Sequence, residues 1–168
     1  MNPNATDADR PSGGTTRSSA ITPTRIIAAD VCADHIAAKR QRLGLALRAP
    51  RHVVPGDASR LQQVIWNLLK NAAKFTPAEG EIRIATSNVA DRLVIVIADT
   101  GIGIASDALQ TIFDAFAQEG PWVTSEFGGL GLGLAIAKAT VEAHQGTLTA
   151  SSGGRDQGAT FTIELPLD

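Results

Sequence analysis

The strongest constraint on the fold is an apolar stripe that recurs at helical spacing between residues 60 and 75. Apolar side chains three and four positions apart lie on one face of an α-helix, and such a face has to be buried. Asp57 or Ser59 can cap the start of this helix, and Pro77 and Gly80 follow its end. The sequence therefore predicts an amphipathic helix over 60–75. Its apolar face consists of Leu61, Val64, Ile65, Leu68, Leu69 and Ala72.

Alternating polarity and β-branched residues predict the sheet on which this helix packs. Residues 93–97 (LVIVI) are an apolar β-branched run, residues 88–91 predict a turn, and the glycine-containing stretch 153–158 predicts a hairpin loop. The predicted strands cover residues 43–47, 52–54, 81–86, 93–97, 147–151 and 160–165.

Three further helices complete the predicted order of elements. The first covers 25–42 and ends at Gly44, a short one carries apolar residues between 109 and 116, and the last covers 134–144 with Gly146 after its C-cap. Helices combined with hairpin-linked strands predict an α+β fold, a two-layer sandwich. Helices cover one face of its mixed sheet, and the other face is wetter.

Composition limits the class of protein. The chain has 168 residues, enough for one domain, and its net charge of −2 at pH 7 argues against nucleic-acid binding. The single cysteine, Cys32, excludes an internal disulfide. No apolar run is long enough to cross a bilayer, so we expect a cytoplasmic, monomeric domain without membrane contact. Residues 1–21 are polar and are expected to form a flexible leader or linker, and 22–168 the domain.

Two amides and an ammonium group lie at the edge of the apolar stripe. At about 100° per residue, Asn67, Asn71 and Lys74 fall within roughly 60° of one another. A solvated helix boundary is one interpretation. However, Asn is a poor residue inside a helix, because its amide competes with the backbone. An amide oxygen suits Mg²⁺ and a lysine suits a phosphate, so a binding site is the other interpretation.

Asp99 follows the apolar strand directly and begins the segment DTGIGI. A carboxylate there is costly to bury without donors, and it is either a turn residue bonded to its own backbone or an acceptor for an exocyclic amine. Gly101 and Gly103 let backbone approach a flat ring. A dinucleotide-binding loop fits poorly, because Ser106 replaces the third glycine and the acid precedes the loop.

Glycines alternate with leucines at 128–134, just before the last predicted helix. Glycines at a helix N-terminus expose backbone amides to an anion such as phosphate, although a flexible hinge is an equally good interpretation. The segment is not a Walker A loop, because no Gly-Lys-Ser/Thr follows.

Taken together, these segments resemble the histidine kinase catalytic and ATP-binding domain of two-component sensor kinases, in the GHKL superfamily. The resemblance covers roughly residues 22–167 and implies an α+β sandwich of the GHKL (Bergerat) type. The matching segments are, in chain order, the N box NLLKNAAKFTP (67–77), the first glycine box DTGIGI (99–104), the F box IFDAF (112–116), the second glycine box GLGLGLAI (129–136) and the final Gly/Thr motif GATF (158–161).

The resemblance implies a site for ATP and Mg²⁺. Asn71 would ligate Mg²⁺ with Asn67 in support, and Lys74 would reach a phosphate; these three are the implied catalytic residues. Asp99 would accept from the adenine amino group, which favours ATP over GTP. The other implied ATP-binding residues are Phe75, Gly101, Gly103, Ile104, Gly129, Leu130, Gly131, Leu132, Gly133, Leu134 and Thr160.

The resemblance also implies an enzyme, a protein histidine kinase that transfers the γ-phosphoryl group of ATP. Its partners would be a histidine-containing dimerisation domain and a response regulator. None of His35, His52 and His144 lies in a phosphoacceptor-like segment, so we expect the acceptor on a separate domain. The implied ATP lid, 118–127, contains no Lys or Arg, so we expect weak ATP binding.

Two other functions compete with the kinase. GHKL ATPases place a water-activating Glu one helical turn before the metal-binding Asn, and Asn67 at that position cannot act as a base. The stronger alternative is a degenerate or stand-alone GHKL nucleotide-binding module that acts through protein interaction, including an anti-sigma-type serine kinase.

Overall fold

The computed structural model describes residues 18–20, 36–115 and 132–168. Two sheets and two long helices form in this part of the chain. The elements are β1 (Ser18–Ala20), β2 (Arg42–Leu47), β3 (Val53–Pro55), α1 (Ala58–Phe75), β4 (Glu81–Val89), β5 (Arg92–Asp99), a 3₁₀ turn (Ala108–Gln110), α2 (Gly133–Ala143), β6 (Thr147–Ser151) and β7 (Ala159–Pro166). Among the described residues, no helix combines the length and apolarity needed to span a bilayer.

The main sheet is mixed, as predicted. Its strand order is β2-β4-β5-β7-β6, with β2 and β4 parallel and the other neighbours antiparallel. The predicted 88–91 turn is shorter in the structure, because β4 continues to Val89 and only 90–91 turn. Ala90 makes this possible by adopting a positive φ of 50°.

Residues 18–20 belong to the predicted leader, yet their backbone pairs antiparallel with β3. Pairing needs backbone N–H and C=O groups and no apolar side chains, so a polar composition does not prevent it. The rest of the segment 1–21 lies outside the described residues.

One face of the main sheet is buried under the helices. Ile82 and Ile84 of β4 and Ile95 and Ile97 of β5 are 0% exposed, whereas the residues between them are half-buried or exposed. Helix α1 buries its whole predicted apolar stripe against this face, and α2 packs beside α1. The predicted two-layer sandwich with one wetter face is therefore confirmed.

Of the two predicted cap candidates, Asp57 and Ser59, it is Asp57 that caps α1, and its carboxylate accepts from the backbone N–H groups of Ser59 and Arg60. These bonds, led by that of Arg60, lower the pKa of Asp57. The cap fixes the start of α1 at Ala58, two residues before the predicted start at residue 60.

The prediction of a first helix that reaches residue 42 and ends at Gly44 is wrong at its C-terminal end. Helix is present at 36–38, and β2 begins at Arg42. The chain reverses at Arg40, which adopts a φ of 52°, and Gly44 pairs with Arg83 inside β2. Parallel pairing with β4 outweighs the helical pattern, because it completes the sheet edge.

The left-handed residue after the C-cap of α2 is Gln145 (φ 56°) and not Gly146. The amides of Gln145 and Gly146 donate to the carbonyls of Glu142 and Val141, which is a Schellman motif with Gly146 one residue further on. Gly146 is required for another reason, since a Cβ there would lie 2.5 Å from the carbonyl oxygen of Glu164.

Candidate functional site

The C-terminal end of α1 is held by two side chains from the segment before β2. The Lys39 ammonium group donates to the carbonyls of Ala73, Lys74 and Thr76 at 3.0, 2.7 and 3.1 Å. The amide of Gln41 donates to the carbonyl of Thr76 at 2.6 Å. A positive charge at the negative end of a helix, bonded with Gln41 to carbonyls that the helix itself leaves without a partner, fixes the last turn of α1.

We expect Lys39→Met to lower the free energy of unfolding by about 1–3 kcal/mol, because Met keeps the stem and leaves these carbonyls without a charged donor. Urea unfolding measures this change. Lys70→Met is the matched control on the exposed face of α1. The Lys70 ammonium lies 5.0 Å from the centre of the Trp66 ring, and the effect of its loss should stay below about 1 kcal/mol. Equal losses in the two variants would contradict the capping role.

Asp99 is the last residue of β5 and pairs with Ala159, the first residue of β7. Its Oδ1 accepts from the backbone N–H groups of Gly101 at 2.8 Å and Ala159 at 3.3 Å. Burial raises the pKa of Asp99, and these two bonds oppose the rise. No described residue donates to its other oxygen, Oδ2, which is the oxygen available to a ligand.

The loop after Asp99 lies against the end of α1. The Ile102 amide donates to the Phe75 carbonyl at 3.2 Å. A Cβ on Gly101 would lie 2.6 Å from the same carbonyl oxygen, and a Cβ on Gly103 would lie 2.0 Å from that of Gly154. Packing within the protein therefore already requires glycine at both positions, and their predicted place beside a ligand ring stays a prediction.

The three polar residues of α1 lie along one face, as predicted. The side chains of Asn67, Asn71 and Lys74 are half-buried, and the Asn67 oxygen accepts from Gln63 at 3.2 Å. The Lys74 ammonium lies 4.8 Å from the centre of the Phe75 ring. Burial, and secondly the charge of Lys70, lower the pKa of Lys74.

The start of α2 has no side-chain cap from its own N-cap residue. Leu132 occupies the N-cap position without a side-chain cap, and no acidic residue lies in the first turn. Among the described residues, apart from the chain neighbours and the backbone of α2 itself, no atom lies within 4 Å of the position that a Cβ on Gly133 would take. Such an end is suited to an anion. The remaining residues implied here, Gly129, Leu130 and Gly131, and the implied lid 118–127, lie outside the described residues.

Thr160 is not brought together with Asp99. The strand register pairs Thr160 with Ala98, and alternation puts both on the sheet face opposite the buried Phe161 and Ile97. Ala159 is the β7 residue beside Asp99. Ile104, in contrast, is the last residue of the 99–104 loop and packs against the core.

Two groups of residues near this site escaped the sequence reasoning. Lys39 and Gln41 lie outside every recognised motif, and their partners are more than 30 positions away. Ser152 lies between β6 and a pair of glycines and bonds to the 99–104 loop across the hairpin. Nothing in the local pattern signals such long-range bonds.

Comparison with known proteins agrees with this geometry. Residues 56–168 match the family described as histidine kinase-, DNA gyrase B-, and HSP90-like ATPase. Sensor histidine kinase AruS of Pseudomonas aeruginosa is 46% identical over 117 residues, which are 67% of this chain and 12% of that protein. The chain spans between 9% and 30% of the length of the curated relatives compared.

Solved structures of histidine kinases have the same fold. Full-length ShkA in complex with AMPPNP superposes with a TM-score of 0.76 and 30% identity, over 89% of this chain and 31% of that one. The mycobacterial sensor histidine kinase MprB superposes with a TM-score of 0.75 and 26% identity, over 90% and 98%.

The fold and these matches define an ATPase-type α+β domain of the GHKL kind. The chain belongs to the histidine kinase-, DNA gyrase B-, and HSP90-like ATPase family, and its relatives make it a domain of the sensor histidine kinase type.

Proposed function

We propose that this chain binds ATP with Mg²⁺ and transfers the γ-phosphoryl group to a histidine on a separate dimerisation domain. The observation that carries the proposal is the half-buried Asp99 carboxylate, whose Oδ1 is held by two backbone amides while Oδ2 is left to a ligand. This oxygen can only accept a hydrogen bond. It can therefore bind the amino group of adenine, whereas it would repel the carbonyl oxygen that guanine has at the same position.

The polar face of α1 supports the phosphate side of the proposal. Asn71 offers a half-buried amide oxygen, a hard donor that fits Mg²⁺. No group of three or more His, Cys, Asp or Glu side chains that could hold a metal exists in the described part of the chain, so most ligands of the ion would come from the phosphates. Bound there, Mg²⁺ would neutralise phosphate charge. Lys74 would contact a phosphate, and the N-terminus of α2 would face the same charge.

Positioning and charge neutralisation would account for catalysis, as in phosphoryl transfer generally. The α1 face holds an amide at Asn67, where a hydrolase of this family needs a base to activate water. This favours transfer to a protein over hydrolysis. A response regulator would receive the phosphoryl group next. We propose that this chain is located in the cytoplasm. A nucleotide-binding module without turnover is the second candidate, favoured by a 118–127 segment that contains no Lys or Arg.

Two measurements test the proposal. Calorimetric titration with ATP and Mg²⁺ should give saturable binding, and γ-labelled ATP should label the histidine of a supplied dimerisation domain from the same pathway. Binding without labelling would select the second candidate. Absence of any nucleotide heat up to millimolar ATP would reject both. Acid-labile phosphate on His35, His52 or His144 would contradict the separate acceptor.

A further inference from the structure

Ser152 joins two loops that border the proposed base site. Its hydroxyl donates to the Gly158 carbonyl at 2.6 Å and accepts from the amides of Ile104 at 3.0 Å and Gly154 at 3.2 Å. A serine hydroxyl has one proton and two lone pairs, so these three bonds use its full capacity. A half-buried side chain with that bonding has a structural partner on each side and no capacity left for a nucleotide.

The same two loops hold Asp99 in place. One N–H donor to Asp99 Oδ1 comes from Gly101, in the loop 99–104, and the other from Ala159, at the end of the hairpin loop 152–158. The direction in which Oδ2 points therefore depends on the separation of these loops. Ser152 bridges the same pair of loops, because it bonds Ile104 on one side and Gly158 on the other.

Further contacts show how closely the loops fit. The Asp156 amide donates to the Ile102 carbonyl at 2.7 Å, and the Gly158 amide donates to the Gly101 carbonyl at 3.1 Å. The Ser152 hydroxyl adds a side-chain hydrogen bond between the hairpin loop and the Ile104 amide. Its removal would leave the Ile104 amide without its acceptor in a part-buried position.

We propose that Ser152 is a positioning residue for nucleotide binding, acting through Asp99. This inference rests on the proposed function, because it assigns Ser152 the task of setting the Asp99 carboxylate toward the base. Loss of the hydroxyl removes a short bond to Gly158 and the bond from Ile104, so the loops can separate and Asp99 can turn.

The test compares Ser152→Ala with Ser151→Ala, a matched change at the exposed neighbouring serine, in the full chain. We expect Ser152→Ala to weaken ATP binding about tenfold, as two hydrogen bonds of ordinary strength imply, and Ser151→Ala to leave it unchanged. The affinity for AMP should fall by the same factor as that for ATP, because the change lies on the base side. Titrations followed by NMR extend to millimolar dissociation constants and give all four values.

A double-mutant cycle separates positioning from general stability. In the Asp99→Asn background, Ser152→Ala should change ATP affinity by less than about twofold, because the residue through which it acts is gone. A merely structural role would give the same tenfold loss in both backgrounds and would overturn the inference. Without ligand, hydrogen exchange at the Ile104 amide should accelerate in Ser152→Ala and stay unchanged in Ser151→Ala.

Failure of this inference is distinguishable from failure of the proposed function. If the unmodified chain binds ATP and Ser152→Ala binds it equally well, the positioning role is refuted and the proposed function stands. If the unmodified chain binds no ATP, both are refuted. Unchanged exchange at Ile104 would refute the bridge between the loops directly, and this measurement needs no nucleotide.

Discussion

Asp99→Asn is expected to weaken ATP binding by about 10- to 100-fold, the range for loss of a hydrogen bond to a charged acceptor. The structure explains why an isosteric change should be so costly. Asn would keep its oxygen where Oδ1 accepts from Gly101 and Ala159, which places its NH₂ group at the Oδ2 position. Two donors, this NH₂ group and the adenine amino group, would then face each other. Calorimetry with ATP measures the loss.

Stability provides the first control. Burial raises the pKa of Asp99, so its ionisation opposes folding at neutral pH, and the neutral Asn should leave the thermal midpoint equal or higher. Asn71→Ala in the absence of metal is the second control, since its role is with Mg²⁺. Equal losses of ATP affinity in the two variants without metal would show that the base and metal roles are wrongly assigned.

The pH dependence follows from the same shift. The carboxylate accepts from the base only when ionised, so binding is full above its pKa and is lost as the pH falls through it. Because the pKa is raised from the ordinary value of 3.8, this loss should begin at a higher pH than for an exposed aspartate. Asp99→Asn should remove that part of the profile. An unchanged profile in the variant would assign the titration to another group.

Gly158→Ala is expected to lower the free energy of unfolding by about 2–5 kcal/mol. The alanine would be strained by the left-handed backbone conformation, and its Cβ would be overpacked. Gly158 has a φ of +67°, and a Cβ there would lie 2.0 Å from the carbonyl oxygen of Asp99. Backbone atoms of β5 cannot move aside without breaking the β5–β7 pairing. Urea unfolding measures the change, and nucleotide affinity should fall with it, because the displaced residue is Asp99.

Gly44→Ala is the matched control. Its φ is ordinary, and the nearest atom to an added Cβ lies 3.6 Å away, at van der Waals distance. We expect a change within about 0.5 kcal/mol, typical of surface substitutions. If Gly158→Ala were as mild as this control, the close packing of the hairpin loop on Asp99 would be refuted.

Much of the fold was accessible from local patterns. The α1 stripe and the β-branched run of β5 are each encoded within a few neighbouring residues and appear where they were predicted, and one of the two predicted cap residues, Asp57, caps α1. The segment around residue 40 differs, because a helical pattern there competes with pairing to β4, more than 35 positions along the chain. Hydrophobic periodicity reports burial and cannot weigh it against a distant strand.

The site divides in the same way. Residue type and helical spacing alone put Asn67, Asn71 and Lys74 on one face of α1, because side-chain direction in a helix repeats with the backbone. Only the folded chain shows that Thr160 lies beside Ala98 and not beside Asp99, that Lys39 caps α1, and that Ser152 bridges two loops. These facts depend on strand register and on hydrogen bonds between residues far apart in sequence. Such contacts exist only once the whole core has brought their partners together.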